Sequence, residues 1–304
     1  MPSGKLHLVV GATGTTGSQV VSALLRREER VRILCRSSER AYRLIEIGAE
    51  VVAGDLDEPT SLPSAFADVS SVFLVTSVNP RAATQAMNAI KAARSAGVQH
   101  LVRYSAAKAS AESPSLSSRD HARVEDALST TGLPFTIVRT HFFMQNLLHS
   151  ATAIESDSAI YMPLKNGRLA MVDVRDVSEA VAKVLVDGSH LSETLTMTGP
   201  DSISISQAAA IVSSVIGREV RYIDVSLEET RQTLLAAGLD EYLVNEYIVY
   251  YRAFAEGLGD FISDDFERVT GRQPRSFAEF AADHAEEFGA SRSVPAPQHA
   301  GRSD

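Results

Sequence analysis

Short, largely apolar runs alternate with helix-like segments through the first half of the chain. The runs at 6–10, 31–35, 50–53, 72–75 and 100–104 are rich in Val, Ile and Leu. Strands covered on both faces need apolar residues at most positions, whereas a sheet with one wet face would alternate strictly. These runs therefore predict a parallel sheet buried on both sides. Between them, residues 16–27 and 84–96 place apolar or alanine residues three and four apart, the spacing of crossover helices packed on such a sheet. Gly97 suits the position just past a helix end. A further helix at 119–130 ends at Gly132 and leads into a sixth strand at 135–139. The expected class is α/β, with a doubly wound parallel sheet.

The second half keeps helical grammar but spaces its strands further apart. Asp176 with Glu179, Ser204 with Gln207 and Ser276 with Glu279 each read as a capping pair that satisfies free amides in a helix's first turn. Tyr242, Tyr247, Tyr250 and Tyr251 fall at helical spacing with Leu243 and Phe254. A helix of this kind roofs a pocket for a flat hydrophobic ligand, or else serves as core or as the interface of a homodimer. At 304 residues the chain is near the limit of one hydrophobic core, so a large domain with a smaller lobe is expected. Residues 291–304 lack a periodic apolar face and are expected to be disordered.

Charge and cysteine content narrow the partners. Lys and Arg number 29 against 38 Asp and Glu, a net charge of −9, with no basic stripe. Nucleic acid is not an expected partner. Cys35 is the single cysteine, which rules out an internal disulfide, and no Cys/His cluster has the spacing of a metal site. A reducing, cytoplasmic setting is expected. No basic segment leading into an apolar stretch opens the sequence, and no apolar run is long enough to span a bilayer, so neither secretion nor a membrane is expected.

The most informative segment follows the first strand: Gly11-Ala12-Thr13-Gly14-Thr15-Thr16-Gly17. Glycines at a strand-to-helix turn let the backbone approach a pyrophosphate, whose charge then lies at the positive end of the next helix. The G-x-x-G-x-x-G spacing looks like the short-chain dehydrogenase variant of this loop. The second strand ends at Arg36-Ser37, where an NAD-binding protein presents an acidic residue to the ribose hydroxyl. A guanidinium there suits a 2′-phosphate, so NADP(H) is expected in preference to NAD(H). A surface ion pair between Arg36 and Glu39 is the alternative. Asp55, after Gly54, either reaches the adenine edge or caps the following turn. Thr76 and Ser77 complete the cofactor-binding candidates with Gly11, Thr13, Gly14, Thr15, Thr16, Gly17, Arg36, Ser37 and Asp55.

With this loop, Arg36-Ser37, Gly54-Asp55, residues 133–139, Phe142-Phe143-Met144-Gln145-Asn146, Val172-Asp173-Val174-Arg175-Asp176-Val177, Thr198-Gly199-Pro200 and residues 271–277, the chain resembles the NmrA-like family of atypical short-chain dehydrogenases. The resemblance runs from Lys5 to about Phe288. It implies a Rossmann-type domain binding NADP(H) at 1–150 and a smaller C-terminal α/β lobe at 151–290. That lobe would hold the substrate and send segments back to the sheet. It also implies quinone reductase, azoreductase or aromatic-ether reductase activity, or a redox sensor without turnover.

Tyr104-Ser105-Ala106-Ala107-Lys108 matches the Tyr-x-x-x-Lys pair of short-chain dehydrogenases. That spacing joins two side chains only on a helix, and Tyr104 ends a strand, so the pair is not expected to act as a dyad. Ser105 lies at the strand's carboxyl end, where open α/β sheets bind ligands, and is one catalytic candidate. His121 is the other. The resemblance places it at the helix position that carries a lysine or histidine beside the nicotinamide, and a histidine titrating near neutrality can supply a proton. A capping or surface histidine is the alternative. His141, Phe142 and Asn146, after the sixth strand, and Tyr247 and Tyr251 are the substrate-binding candidates. No metal or flavin signature appears. The expected function is an NADPH-dependent reductase of a hydrophobic, aromatic or quinonoid small molecule. A cofactor-sensing regulator and a non-redox isomerase, dehydratase or cyclase are the rival readings.

Overall fold

The computed structural model describes residues 4–290, so the tail at 291–304 lies outside the described residues. Strands form at the six expected places: β1 (Leu6–Val10), β2 (Arg30–Cys35), β3 (Glu50–Ala53), β4 (Ser71–Leu74), β5 (His100–Ala106) and β6 (Phe135–Thr140). Between them run α1 (Thr15–Leu25), α2 (Ser38–Glu46), α3 (Pro63–Phe66), α4 (Ala82–Ser95) and α5 (Leu116–Ser129). Beyond β6 come α6 (Ala151–Asp157), β7 (Ala159–Met162), β8 (Arg168–Leu169), α7 (Val174–Asp187), β9 (Glu193–Met197), β10 (Ile203–Ser204), α8 (Ile205–Ile216) and β11 (Arg221–Asp224). The chain closes with α9 (Leu227–Ala236), α10 (Glu241–Ala255), α11 (Asp265–Thr270) and α12 (Phe277–Asp283).

Among the described residues the main sheet has seven strands in the order β3-β2-β1-β4-β5-β6-β9, all parallel. Its burial follows the pleat. Leu8, Val72 and Leu101 face α4 on one side, and Val9, Phe73 and Val102 face α1 and α7 on the other. Each such side chain removed from water contributes roughly 1.5–3 kcal/mol, which is why these runs tolerate so few polar residues. The chain steps outward from β1 to β3, then restarts at β4 on the opposite side. The connections diverge at that reversal and leave a crevice at the carboxyl ends of β1 and β4.

A third core, with Leu147, Ile160, Leu169, Ile205 and Phe280, fills the C-terminal lobe. There β7 pairs with β11 in parallel and β8 with β10 antiparallel. Two later elements rejoin the main sheet: β9 pairs with β6, and α7 shares the core of α1. No described helix is long and apolar enough to cross a membrane.

Two helix starts differ from the sequence expectation. The capping boxes Ser204/Gln207 and Ser276/Glu279 form, but α7 is capped by Asp173, whose carboxylate accepts from the Arg175 amide. Asp176 and Glu179 are instead held by Arg272, at 2.7 and 2.5 Å, and Asp176 also pairs with Arg275. An ion pair from the chain's end has taken the carboxylates that local spacing assigned to the cap. The second difference is that α5 begins at Leu116, with the Ser115 hydroxyl accepting from the Ser118 amide. His121 therefore sits in the second turn and not at the helix start.

Candidate active site

At the carboxyl ends of β1 to β4 a groove of about 830 Å³ is lined by Gly11, Thr13, Arg36, Ser37, Asp55, Thr76 and Ser77. The three loop glycines serve different ends. A Cβ on Gly11, which has φ +80, would meet the Val75 carbonyl at 2.5 Å, and one on Gly17 would strike the Gly11 carbonyl. The fold itself requires both. Gly14 has an ordinary φ of −85, and a Cβ there would only touch the Gly11 carbonyl at 3.4 Å. Gly14 is exposed, and its missing side chain leaves the loop bare at this point. Gly14 also caps α1 without a side-chain hydrogen bond, and the first turn carries no acidic residue. Its free amides are thus open to an anion.

Thr13, Gly14 and Thr15 are exposed, whereas Thr16 is buried and its carbonyl faces Ser178 of α7. Thr16 does not line the groove as Thr13 does. Arg36 is exposed, and among the described residues it has no ion pair, so the alternative with Glu39 is absent. Asp55 does cap its turn, accepting from the Asp57 amide at 2.9 Å, while still lining the groove. The glycine loop with Thr13, Gly14 and Thr15 exposed, the helix start without a side-chain cap and the unpaired guanidinium fit a nucleotide carrying a 2′-phosphate. Asn79 and Gln85 also line the groove and were missed, because they lie beyond the end of β4 with no motif to mark them.

Beside the groove, a pocket of about 250 Å³ lies between the ends of β5 and β6 and α10. Thr76 lines both spaces, so they meet there. Tyr104, His121, His141, Phe142, Asn146, Tyr247 and Tyr251 all line the pocket. Ser105 does not. Strand alternation turns it to the opposite face, where it is fully buried and its hydroxyl donates to Glu125 at 2.5 Å. Glu125 also receives Arg139. The pleat that places Tyr104 in the pocket therefore corrects the catalytic assignment of Ser105.

The Tyr104 oxygen accepts from the Thr140 hydroxyl at 2.8 Å, which leaves the phenol's own proton free to point into the pocket. Burial pushes its pKa up. Lys108 does not reach it. That ammonium lies 4.4 Å from the Phe261 ring centre instead, so no dyad forms. His121 is half-buried, and its Nδ1 is buried without a hydrogen-bond partner. Burial, with the charges of Arg103 and Arg139, pushes its pKa down to about 3. The imidazole is consequently neutral near pH 7, which corrects the expectation of a group titrating near neutrality.

His141 is buried and has both nitrogens in use: Nδ1 accepts from the Phe142 amide and Nε2 donates to the Gly259 carbonyl. It offers the pocket a ring face and no free proton. Phe142 meets Phe254 edge-on, and Tyr247 stacks on Tyr251 with centroids 6.0 Å apart. Sequence reading missed Glu246. Its carboxylate accepts from the Ser115 hydroxyl at 2.5 Å and from the Leu116 and Ser117 amides at 3.1 and 3.0 Å. In this way α10 is clasped to the positive end of α5. An acidic residue one turn from Tyr242 and Tyr250 was the available signal.

The NmrA-like family model matches residues 4–281. The NAD(P)H azoreductase of Xenophilus azovorans is 36% identical over 283 residues, covering 93% of this chain and 99% of that protein. Quinone oxidoreductase 2 of Escherichia coli is 27% identical over 241 residues, covering 78% and 84%. Among solved structures, the Citrobacter sp. triphenylmethane reductase complexed with NADP(H) superposes with a TM-score of 0.81 at 28% identity, covering 92% of this chain and 99% of that one.

Proposed function

The chain belongs to the NmrA-like family and is an NAD(P)H-dependent oxidoreductase, and from that premise we propose that it reduces hydrophobic, aromatic or quinonoid small molecules with NADPH. The observation that carries this reading is the junction of a nucleotide-sized groove with an aromatic pocket at Thr76. Bound there, NADPH supplies the hydride.

The chain's own residues do the rest. Arg36 meets the 2′-phosphate, and the amides of the first turn of α1 meet the pyrophosphate. Tyr247, Tyr251, Phe142 and Phe254 hold a flat acceptor and exclude water, and Asn146 provides a polar contact at the wall. Tyr104 Oη carries the proton that neutralises the acceptor's oxygen, with Thr140 orienting the phenol and neutral His121 beside it. Hydride and one proton together convert a quinone to its hydroquinone, so no further reductant is needed.

The test is loss of NADPH absorbance when quinones, azo compounds and conjugated aromatic ketones are screened. Substrate-dependent oxidation is the expected result. Tight NADPH binding without oxidation across the panel would return the protein to the sensing class.

A further inference from the structure

We propose that Lys108 selects aromatic acceptors bearing an anionic substituent, a sulfonate or carboxylate, which it meets where the apolar pocket opens into a second cavity. The proposal rests on the reading that the pocket takes an aromatic acceptor, and it adds the acceptor's charge.

Lys108 and Phe261 line both the 250 Å³ pocket and a neighbouring cavity of about 670 Å³. The Lys108 ammonium lies over the Phe261 ring at 4.4 Å, and among the described residues it makes no ion pair or hydrogen bond. Its backbone is left-handed, φ 59, a conformation uncommon for a residue with a Cβ. The flanking turn fixes it, with the Ala107 amide donating to Thr140 and the Ala109 amide to Ala106. Lys108 is exposed, so its ammonium can be reached from solvent while the turn holds its stem beside Phe261.

Some of the charges around it are engaged elsewhere. Glu246 is the acid of the pocket wall, and its carboxylate is consumed by Ser115 and two backbone amides. In the second cavity, Arg139 is committed to Glu125, Glu267 accepts from Gln273, and Asp264 lines the same cavity without an ion pair to Lys108. Among the described residues Lys108 is thus an exposed cation on an aromatic wall with no ion pair of its own. An anion on the ligand gives it a partner there, at the solvent-exposed edge of the pocket.

Equilibrium fluorescence titration of the full chain with NADP⁺ present tests this, using anilinonaphthalene sulfonate and its sulfonate-free parent, phenylnaphthylamine. Lys108→Met keeps an unbranched stem against Phe261, and Lys108→Arg keeps the charge. The wild type is expected to bind the sulfonate more tightly than the parent. Lys108→Met should weaken the sulfonate about threefold to fivefold and leave the parent unchanged, with Lys108→Arg retaining the preference. Equal weakening of both probes would show a packing role and overturn the proposal, as would an unchanged affinity for the sulfonate. Because no turnover is read, absence of NADPH oxidation would sink the reductase reading and leave this result interpretable.

Discussion

The Tyr104 phenol and the His121 imidazole lie with ring centroids 6.3 Å apart and planes inclined at 59°. The end of β5 carries one and the second turn of α5 the other. Burial favours the neutral form of both, pushing the phenol's pKa up and the imidazole's down. Near pH 7 His121 therefore holds no imidazolium proton to give, and the phenol of Tyr104 keeps its own, as the proposed mechanism requires.

Tyr104→Phe is expected to lower turnover roughly 10²–10⁴-fold, the range for a positioned acid, while the NADPH dissociation constant stays within about twofold. Turnover of the wild type should show no imidazole ionisation across roughly pH 5–8. An ionisation near neutrality that His121→Ala removes, with Tyr104→Phe fully active, would assign the proton to His121 instead.

Acid should destabilise the fold through its buried histidines. Burial pushes His100 and His141 down to about 4 and His121 to about 3, from 6.5. The unfolded chain then takes up protons that the folded protein refuses. Stability is fully present above 6.5 and falls as the pH drops from there toward 4, by at most about 1.4 kcal/mol per pH unit for each histidine. Urea midpoints at about pH 7.5 and about pH 5 read this. A midpoint that does not fall at the lower pH would contradict it.

Arg36→Ala should weaken NADPH about tenfold to a hundredfold and leave NADH nearly unchanged, since one charge-assisted contact is worth about 1.5–3 kcal/mol. Calorimetry with both nucleotides checks it. Equal weakening would make Arg36 a structural residue.

The loop glycines separate binding from folding. Gly14→Val should leave the thermal midpoint nearly unchanged and abolish NADPH binding, because its φ is ordinary and its Cβ would meet only the Gly11 carbonyl, at 3.4 Å. Gly11→Ala should lower the midpoint, since its Cβ meets the Val75 carbonyl and its φ is positive. A Gly14→Val protein that binds NADPH normally would remove the loop from the cofactor site.

The main sheet was legible because strands buried on both faces leave a one-dimensional record, as residues 6–10 and 72–75 do. The glycine loop was legible because its demands are local to seven consecutive residues. Ser105 and Tyr104 show the limit. The sequence placed both at the end of β5, but only the pleat against β6 decides which of the two faces the pocket. Asp176 misled because its partners, Arg272 and Arg275, lie almost a hundred residues away. The depressed pKa of His121 was equally out of reach. It depends first on burial and then on the charges of Arg103 and Arg139, which separate strands bring to α5.

The central claim is that the joined groove and pocket reduce an aromatic acceptor at the expense of NADPH, with the proton coming from Tyr104. The most direct measurement is the rate of NADPH oxidation at saturating NADPH with menadione as acceptor, wild type beside Tyr104→Phe. The expected result is one NADPH consumed per hydroquinone formed by the wild type, and a rate roughly a hundredfold or more lower in the variant with its NADPH affinity intact. Full activity in Tyr104→Phe, or an NADPH-bound wild type that oxidises none of it, would contradict the claim.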